Sequence, residues 1–416
     1  MAPRPLRRPA HIPPLSSLLQ QPGYSTGGTT VPLSPSPHLV RPAEVVLLVD
    51  NVTTAAAKAE KGWNSGMVIG KQPHGRVTKL TGLVLKDTKG DAQSEETVST
   101  SGLKTAVVHL LTSLPPTFPS TQDAWKHFAL PTLSLGHSVR DDLPAWLDAL
   151  SLASKQNLTI EFSLEGFGSV KDASPQAESD RLVSAQYEQV EELLSKSFSR
   201  DFELSQGGNQ DGSESQGKED PAARFVLDAF GSPPTHLTST QLLRSPMLQE
   251  WAGFCSRIAL HPRVFVKLSC PPQSLAKSGG SIKRMSSEDR AEFRRVIRIW
   301  IDAVLDALGE ERLIFAATGL DVTSLPASAV LTSSSSLPEQ AVQAVGGSDE
   351  GEGAAQTLGG SDAPGRAAKV GEEEDHLTEV ELWYEIVREV LADIGIDALA
   401  MSKIFETNAM KLYGLP

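Results

Sequence analysis

The sequence predicts an α/β fold of the (β/α)8 TIM-barrel-like type, with a first half short of complete units. Two observations predict it. Apolar runs of five to eight residues, rich in Val, Ile, Leu and Phe, recur along the chain with helical patterns between most of them. Strands alternating with helices over this length imply parallel pairing with helices outside, in a closed barrel or an open doubly wound sheet. A third observation narrows the open-sheet versions: no GxGxxG follows a strand and no GxxxxGK[ST] occurs, so dinucleotide and P-loop sheets lose their sequence support.

The predicted strands are 45–49 (VVLLV), 80–86 (LTGLVLK), 104–111 (KTAVVHLL), 158–164 (LTIEFSL), 224–229 (RFVLDA), 263–269 (RVFVKLS) and 312–317 (RLIFAA). The plainest helix covers about 288–308. There Phe293, Val296, Ile297, Trp300, Ile301, Val304, Leu305 and Leu308 recur at three- and four-residue spacing, and Gly309 stands where a C-terminal cap belongs. Another starts at Ser245-Pro246, a cap residue with proline in the first turn, and buries Leu248, Trp251, Cys255 and Ile258. Thr378 and Glu381 have capping-box spacing ahead of Val380, Trp383, Val387 and Val390, and a final helical segment closes at KLYGLP.

Three stretches are too polar, or too rich in Pro, Ser and Gly, to offset the entropy of folding. They define a disordered N-terminal arm over 1–43 and low-complexity insertions at about 199–221 and 327–375, within a barrel domain spanning 44–416. A net charge of −13 argues against nucleic acid or an anionic membrane as primary partner, since tracking phosphates needs clustered Lys and Arg. Cys255 and Cys270 are the only cysteines and form no CxxC, which fits a reducing compartment, excludes a thiolate zinc site and makes both small core residues. With no apolar run of bilayer length and no secretory-type leader, the expectation is a soluble, cytoplasmic protein. The arm carries Arg4, Arg7, Arg8 and Arg41 and no acid before Glu44, which leaves a mitochondrial alternative that its many prolines weaken.

From VLDAFGSPP onward the pieces VLDAFGSPP, Trp251, HPRVFVKLSC, ERLIFAATGLDV and KIFETNAMKLYGL follow one another in an order that resembles the amidohydrolase-related family. These are barrel hydrolases that include lactonases, decarboxylases and amidases. The resemblance covers roughly the second half; before residue 150 it is limited to LTGLVLKDT and GLKTAVVHLL. It implies a barrel hydrolase acting on a lactone, amide or related carbonyl, and it implies what is missing. The family's strand-end histidine falls on Ala229, its last-strand aspartate falls on Thr318, and no His-x-His occurs in the chain. Alanine has no lone pair to give a metal and threonine is a poor stand-in for a carboxylate, so no metal and no cofactor are expected, unless Asp321 swings back over the pocket. If position 229 faces the barrel mouth, Asp228 faces away and bonds the amides of the Gly231-Pro233 turn.

Barrel strands turn polar side chains inward near their C-terminal ends, where active sites form. In LTIEFSLEG that rule selects Thr159, Glu161, Ser163 and Glu165; in VFVKLSC it selects Lys267 and Ser269. In KTAVVHLL the register holding Thr105 and Val107 also holds His109. Lys267, Glu161 and His109 are therefore the candidate catalytic set, with Lys267 polarising a carbonyl and Glu161 or His109 activating water. Glu161 and Lys267 also read as a buried ion pair that only fills the barrel. His261, His236 and His137 read as loop residues, His137 retaining a route to the pocket. The alternative to an enzyme is an inactive barrel, a pseudoenzyme that binds a small molecule or a protein.

Overall fold

The structure, a computed structural model, describes residues 40–50, 68–69, 78–87, 103–111, 114, 116–118, 126–130, 139, 141–164, 176–207, 223–228, 233–271, 281–318, 320 and 377–415. Among these residues nine strands make one sheet: β1 (Glu44–Asp50), β2 (Val68–Ile69), β3 (Thr78–Asp87), β4 (Lys104–Leu110), β5 (His127–Ala129), β6 (Thr159–Phe162), β7 (Arg224–Leu227), β8 (Val264–Leu268) and β9 (Leu313–Phe315). Eight run parallel in the order β1-β3-β4-β5-β6-β7-β8-β9, and the two-residue β2 pairs antiparallel with β3. The Ala317 amide donates to the Leu48 carbonyl at 2.9 Å, bringing the β9 end beside β1, so the sheet curls into a nearly closed barrel.

The seven expected strands are all present, and the eighth parallel member is β5, a three-residue HFA run too short to show a period. The described helices are α1 (Leu143–Lys155), α2 (Gln176–Gly207), α3 (Ser239–Leu243), α4 (Pro246–Ile258), α5 (Ser287–Leu308), α6 (Glu379–Ile394), α7 (Ala398–Ser402) and α8 (Asn408–Tyr413), with a π-helical turn at Lys403–Thr407. The caps follow the sequence. Ser245 accepts from the Met247 amide, Gly309 ends α5 at φ 71°, and Thr378 and Glu381 form the reciprocal capping box. The helix α2 continues to Gly207, so residues 199–207 belong to it and not to a linker. The remainder of that insertion, 327–375 and the arm before residue 40 lie outside the described residues.

Two apolar layers position everything else. The outer one joins Ile160, Phe162, Phe225, Leu227, Val264, Val266 and Phe315 to the helices, with Trp251 and Trp300 stacked at 5.0 Å. Trp383 of α6 drives its indole N–H between β8 and β9, 3.1 Å from both the Leu268 and Ala316 carbonyls. Burying each such ring removes 150–250 Å² from water, an order of magnitude that makes these anchors strong. Cys255, 0% exposed, belongs to this layer, and burial pushes its thiol well above its ordinary value, as a core role requires.

The inner layer is the barrel interior: Val46, Leu48, Val84, Val108, Ala129, Val226, Ile314 and Ala316 meet Ala409, Leu412, Tyr413 and Leu415. The segment from α8 to Leu415 therefore plugs the N-terminal end of the barrel. Arg224, first residue of β7, donates to the Leu412 carbonyl at 3.3 Å, and Asn408 ties the plug to the Glu310 and Leu313 carbonyls. Gly82 lets the plug approach: a Cβ there would lie 3.3 Å from Leu415, the Lys104 carbonyl and Val46.

Candidate functional site

Strand register decides which side chains enter the barrel, because successive residues alternate faces. On β6, Ile160 and Phe162 pack outward, so Glu161 and, one step past the strand, Ser163 turn inward. On β8, Val264, Val266 and Leu268 pack outward, leaving Phe265, Lys267 and Ser269 inward. On β3, Val84 is interior, and Lys86 shares its face at the strand's C-terminal end.

The deeper polar layer is a closed triad. Lys267 Nζ lies 2.6 Å from Glu161 Oε2, with side chains 2% and 1% exposed. Tyr413 reaches up from the plug and donates to Glu161 Oε1 at 2.6 Å, while Lys267 Nζ stands 5.9 Å from the centre of its ring. Burial and the Glu161 carboxylate push the Tyr413 phenol well above its ordinary value, so it stays a donor. His127 packs edge-on to Tyr413 at 5.2 Å; burial lowers its imidazole to about 4 despite the nearby Glu161, leaving a neutral ring.

His109 does not join this set. Ala106, Val108 and Leu110 pack with the interior cluster, so His109 between them turns to the outer face, where its ring lies tilted 6.1 Å from Phe128. The sequence misled because KTAVVHLL is apolar on both faces, as strands of a covered parallel sheet are, and either parity fits.

The upper layer lies at the C-terminal mouth and centres on Asp228. Val226 is interior and Leu227 exterior, so Asp228 points inward, opposite to the expectation that it faces away. Placing the inward position at 229 was off by one residue; Ala229 itself, like Asp321, His137 and Glu165, lies outside the described residues. Ser269 donates to Asp228 Oδ1 at 2.6 Å, Thr318 to the same oxygen at 3.4 Å and Ser163 to Oδ2 at 3.4 Å. Lys86 Nζ stands 3.8 Å from Oδ2, with its side chain 15% exposed. Five strands thus deliver one carboxylate, one ammonium and three hydroxyls to one spot. Lys86 carried a readable signal, a charge in register with Val84 at a strand end; Tyr413 carried none, because its partner is 252 residues away.

The metal that the family resemblance calls up does not fit these residues. Three hydroxyls and an ammonium surround Asp228, and an ammonium repels a cation from the carboxylate it faces. Among the described residues no three His, Cys, Asp or Glu side chains converge as a ligand set. Two other histidines are placed: His236 is half-buried, and His261 is packed, not free in a loop, its ring stacked on Phe198 at 4.7 Å and Nε2 3.4 Å from Ser195 Oγ. No described helix is long and apolar enough to cross a membrane.

Among solved structures the chain is similar to an amidohydrolase from Burkholderia multivorans with bound zinc, at 13% identity and TM-score 0.43, over 81% of this chain and 84% of that one. It is similar to amidohydrolase 2 from Bifidobacterium longum subsp. infantis, at 12% identity and TM-score 0.39, over 90% of this chain and 100% of that one. It is also similar to 5-carboxyvanillate decarboxylase from Sphingomonas paucimobilis, at 9% identity and TM-score 0.36, over 90% of this chain and 99% of that one. No family model and no curated protein matches the sequence.

Proposed function

We propose that this barrel is a hydrolase of a neutral lactone, amide or related carbonyl compound, working at its C-terminal mouth without a metal. One observation carries the reading: a carboxylate only 7% exposed, Asp228, aimed by Ser269 and faced by the Lys86 ammonium, at the end of the barrel where such folds do their chemistry. Asp228 takes the proton of an attacking water, Lys86 draws electron density toward the carbonyl oxygen, and Ser163, Ser269 and Thr318 hold the carboxylate in line. The roles read from sequence onto Lys267, Glu161 and His109 move up one layer in this proposal. Lys267 and Glu161 become the charged floor beneath the site, and His109 has no part in it.

The order of motifs along the second half supports the same substrate class. The test is hydrolysis of a panel of lactones and amides by the wild type, Asp228→Asn and Lys86→Met, with and without chelator. Expected are turnover insensitive to chelator and a loss of about 10²–10⁴-fold in kcat for Asp228→Asn. Wild-type turnover that survives Asp228→Asn undiminished overturns the assignment.

A second reading, a non-catalytic barrel that binds a small molecule, is favoured by the closed Glu161–Lys267 pair, which offers no group to a ligand. Thermal shift with members of the panel in the absence of turnover is the outcome that selects it.

A further inference from the structure

The plug is tied to the barrel wall by bonds that do not titrate and by one that does. Arg224 donates to the Leu412 carbonyl and Asn408 to the Glu310 and Leu313 carbonyls, and none of these groups changes charge near neutrality. Glu406 is different. It lies half-buried in the π-helical turn Lys403–Thr407, two residues before α8, and its carboxyl group hydrogen-bonds that of Glu44, the first residue of β1. The Thr81 hydroxyl of β3 stands 3.4 Å from Glu406 Oε1 and 3.2 Å from the Val45 carbonyl. Gly82, the next residue of β3, is where Leu415 packs, so one corner of the sheet meets both ends of the segment Glu406–Leu415.

Two carboxyl groups bonded to each other hold one proton between them; once both are ionised they have no hydrogen to share and they repel. The charges around the pair set how firmly it keeps that proton. Among the described residues, Lys104 at the start of β4 favours ionisation. Lys79, opposite Glu44 in the β1–β3 register, is exposed, as is Lys411 of α8. Lys403, on the same turn, is taken up by Glu310 and Glu311, Arg312 donates to the Leu308, Ala259 and His261 carbonyls, and Asp397 caps the Ala400 amide. Burial and then Glu44 outweigh Thr81 and Lys104 and push Glu406 up to about 7, so the bond between the carboxyls is kept below that pH and lost above it.

We propose that the Glu44–Glu406 pair is a proton-operated latch: with its shared proton in place the segment Glu406–Leu415 seals the lower end of the barrel, and without it that segment opens while the outer helices stay folded. The packing supplies the dividing line. Phe405 stacks on Phe315 at 4.8 Å and belongs to the outer layer, whereas Ala409, Leu412, Tyr413 and Leu415 belong to the inner layer alone and can leave without breaking the outer one. The hinge is therefore the π-helical turn, a local departure from the α-helical ladder of the kind that recurs at moving parts. Opening also withdraws the Tyr413 hydroxyl from Glu161.

The experiment is hydrogen exchange of the full chain, read by mass spectrometry at a series of values from about pH 6 to about pH 8.5 and corrected for the intrinsic exchange rate. It compares the peptide covering α8 with one from the middle of α5 in the wild type, Glu406→Gln, Glu44→Gln and Lys104→Met. The α8 amides should be less protected than those of α5 throughout, and in the wild type their protection should fall about fivefold or more as pH rises through 7. Both glutamine variants, where an amide donates at every pH, should show no fall, and Lys104→Met should move its midpoint to higher pH. The two glutamines stand on different elements, so if one variant fails to fold the other decides. Plug amides as protected as the slowest of α5, which would mean that they exchange only by global unfolding, overturn the latch. So do a flat wild-type profile, a fall that persists in the glutamine variants, and a midpoint that Lys104→Met leaves in place. No substrate enters the readout, and a silent lactone panel leaves the latch standing.

Discussion

Replacing Lys267 by Met should cost far more than the ion pair itself is worth. The wild-type pair is 2% and 1% exposed, and the Tyr413 hydroxyl also donates to Glu161. Removing the ammonium strands a carboxylate in a low-dielectric interior, a change that costs about 3–5 kcal/mol. Removing both charges together, with Glu161→Leu and Lys267→Met, strands nothing, and such apolar replacements fall within about 1–2 kcal/mol of the parent or exceed it. The coupling between the two sites is therefore about 3 kcal/mol or more. Tyr413→Phe should take about 1.5–3 kcal/mol through the lost hydrogen bond to a charged acceptor. Urea unfolding followed by tryptophan fluorescence reads these three variants and the single Glu161→Leu that completes the cycle, since Trp146, Trp251, Trp300 and Trp383 are fully buried. A Lys267→Met cost below about 1 kcal/mol would mean that water reaches Glu161 and that the closed-floor argument fails.

Two pH effects of opposite sign should follow from the same core. His127 titrates at about 4 in the fold against its ordinary 6.5, so its stabilising neutral form is fully present above 6.5 and stability is lost as pH falls through 4. The loss amounts to about 3 kcal/mol, and His127→Phe should flatten the urea midpoint between pH 7 and 4 by that amount. Glu406 is pushed up to about 7, first by burial and then by Glu44, with Thr81 and Lys104 opposing. Its contribution is present below 4.5 and disappears as pH rises through 7. The group is half-buried and partly screened by solvent, which reduces the effect to about 1 kcal/mol. Glu406→Gln should therefore hold its low-pH stability at pH 8, and a His127→Phe protein with Glu406 intact whose midpoint is flat from pH 5 to 8 would refute it.

How much of this was legible depended on whether a strand had two unlike faces. On LTIEFSL and VFVKLS the apolar side alternates cleanly with a polar one, so Glu161, Ser163, Lys267 and Ser269 could be turned inward from sequence, and the structure turns them so. On KTAVVHLL and RFVLDA both faces are apolar and periodicity carries no parity. For that reason the sequence turns His109 to the wrong face, and Asp228 follows the parity of the family motif and not that of its own strand. The fifth strand escaped because three residues cannot display a period, and the Tyr413 contact because nothing local to NAMKLYGL names a partner 252 positions earlier.

The plug also sets a schedule. A chain made from its N-terminus has all of its described strands once Phe315 is complete, yet Asn408, where the plug begins, is about 90 residues further on. At roughly 5–20 residues per second, that gap lasts on the order of 5–20 s, long compared with hydrophobic collapse. For that time Val46, Leu48, Val84 and Ile314 would line a tube open at its lower end, with the Glu161 carboxylate lacking its phenol donor. The newborn barrel is at its most adhesive in that interval, and a chaperone that shields apolar surface has its task there, ending when Leu412, Tyr413 and Leu415 arrive to take the same surface.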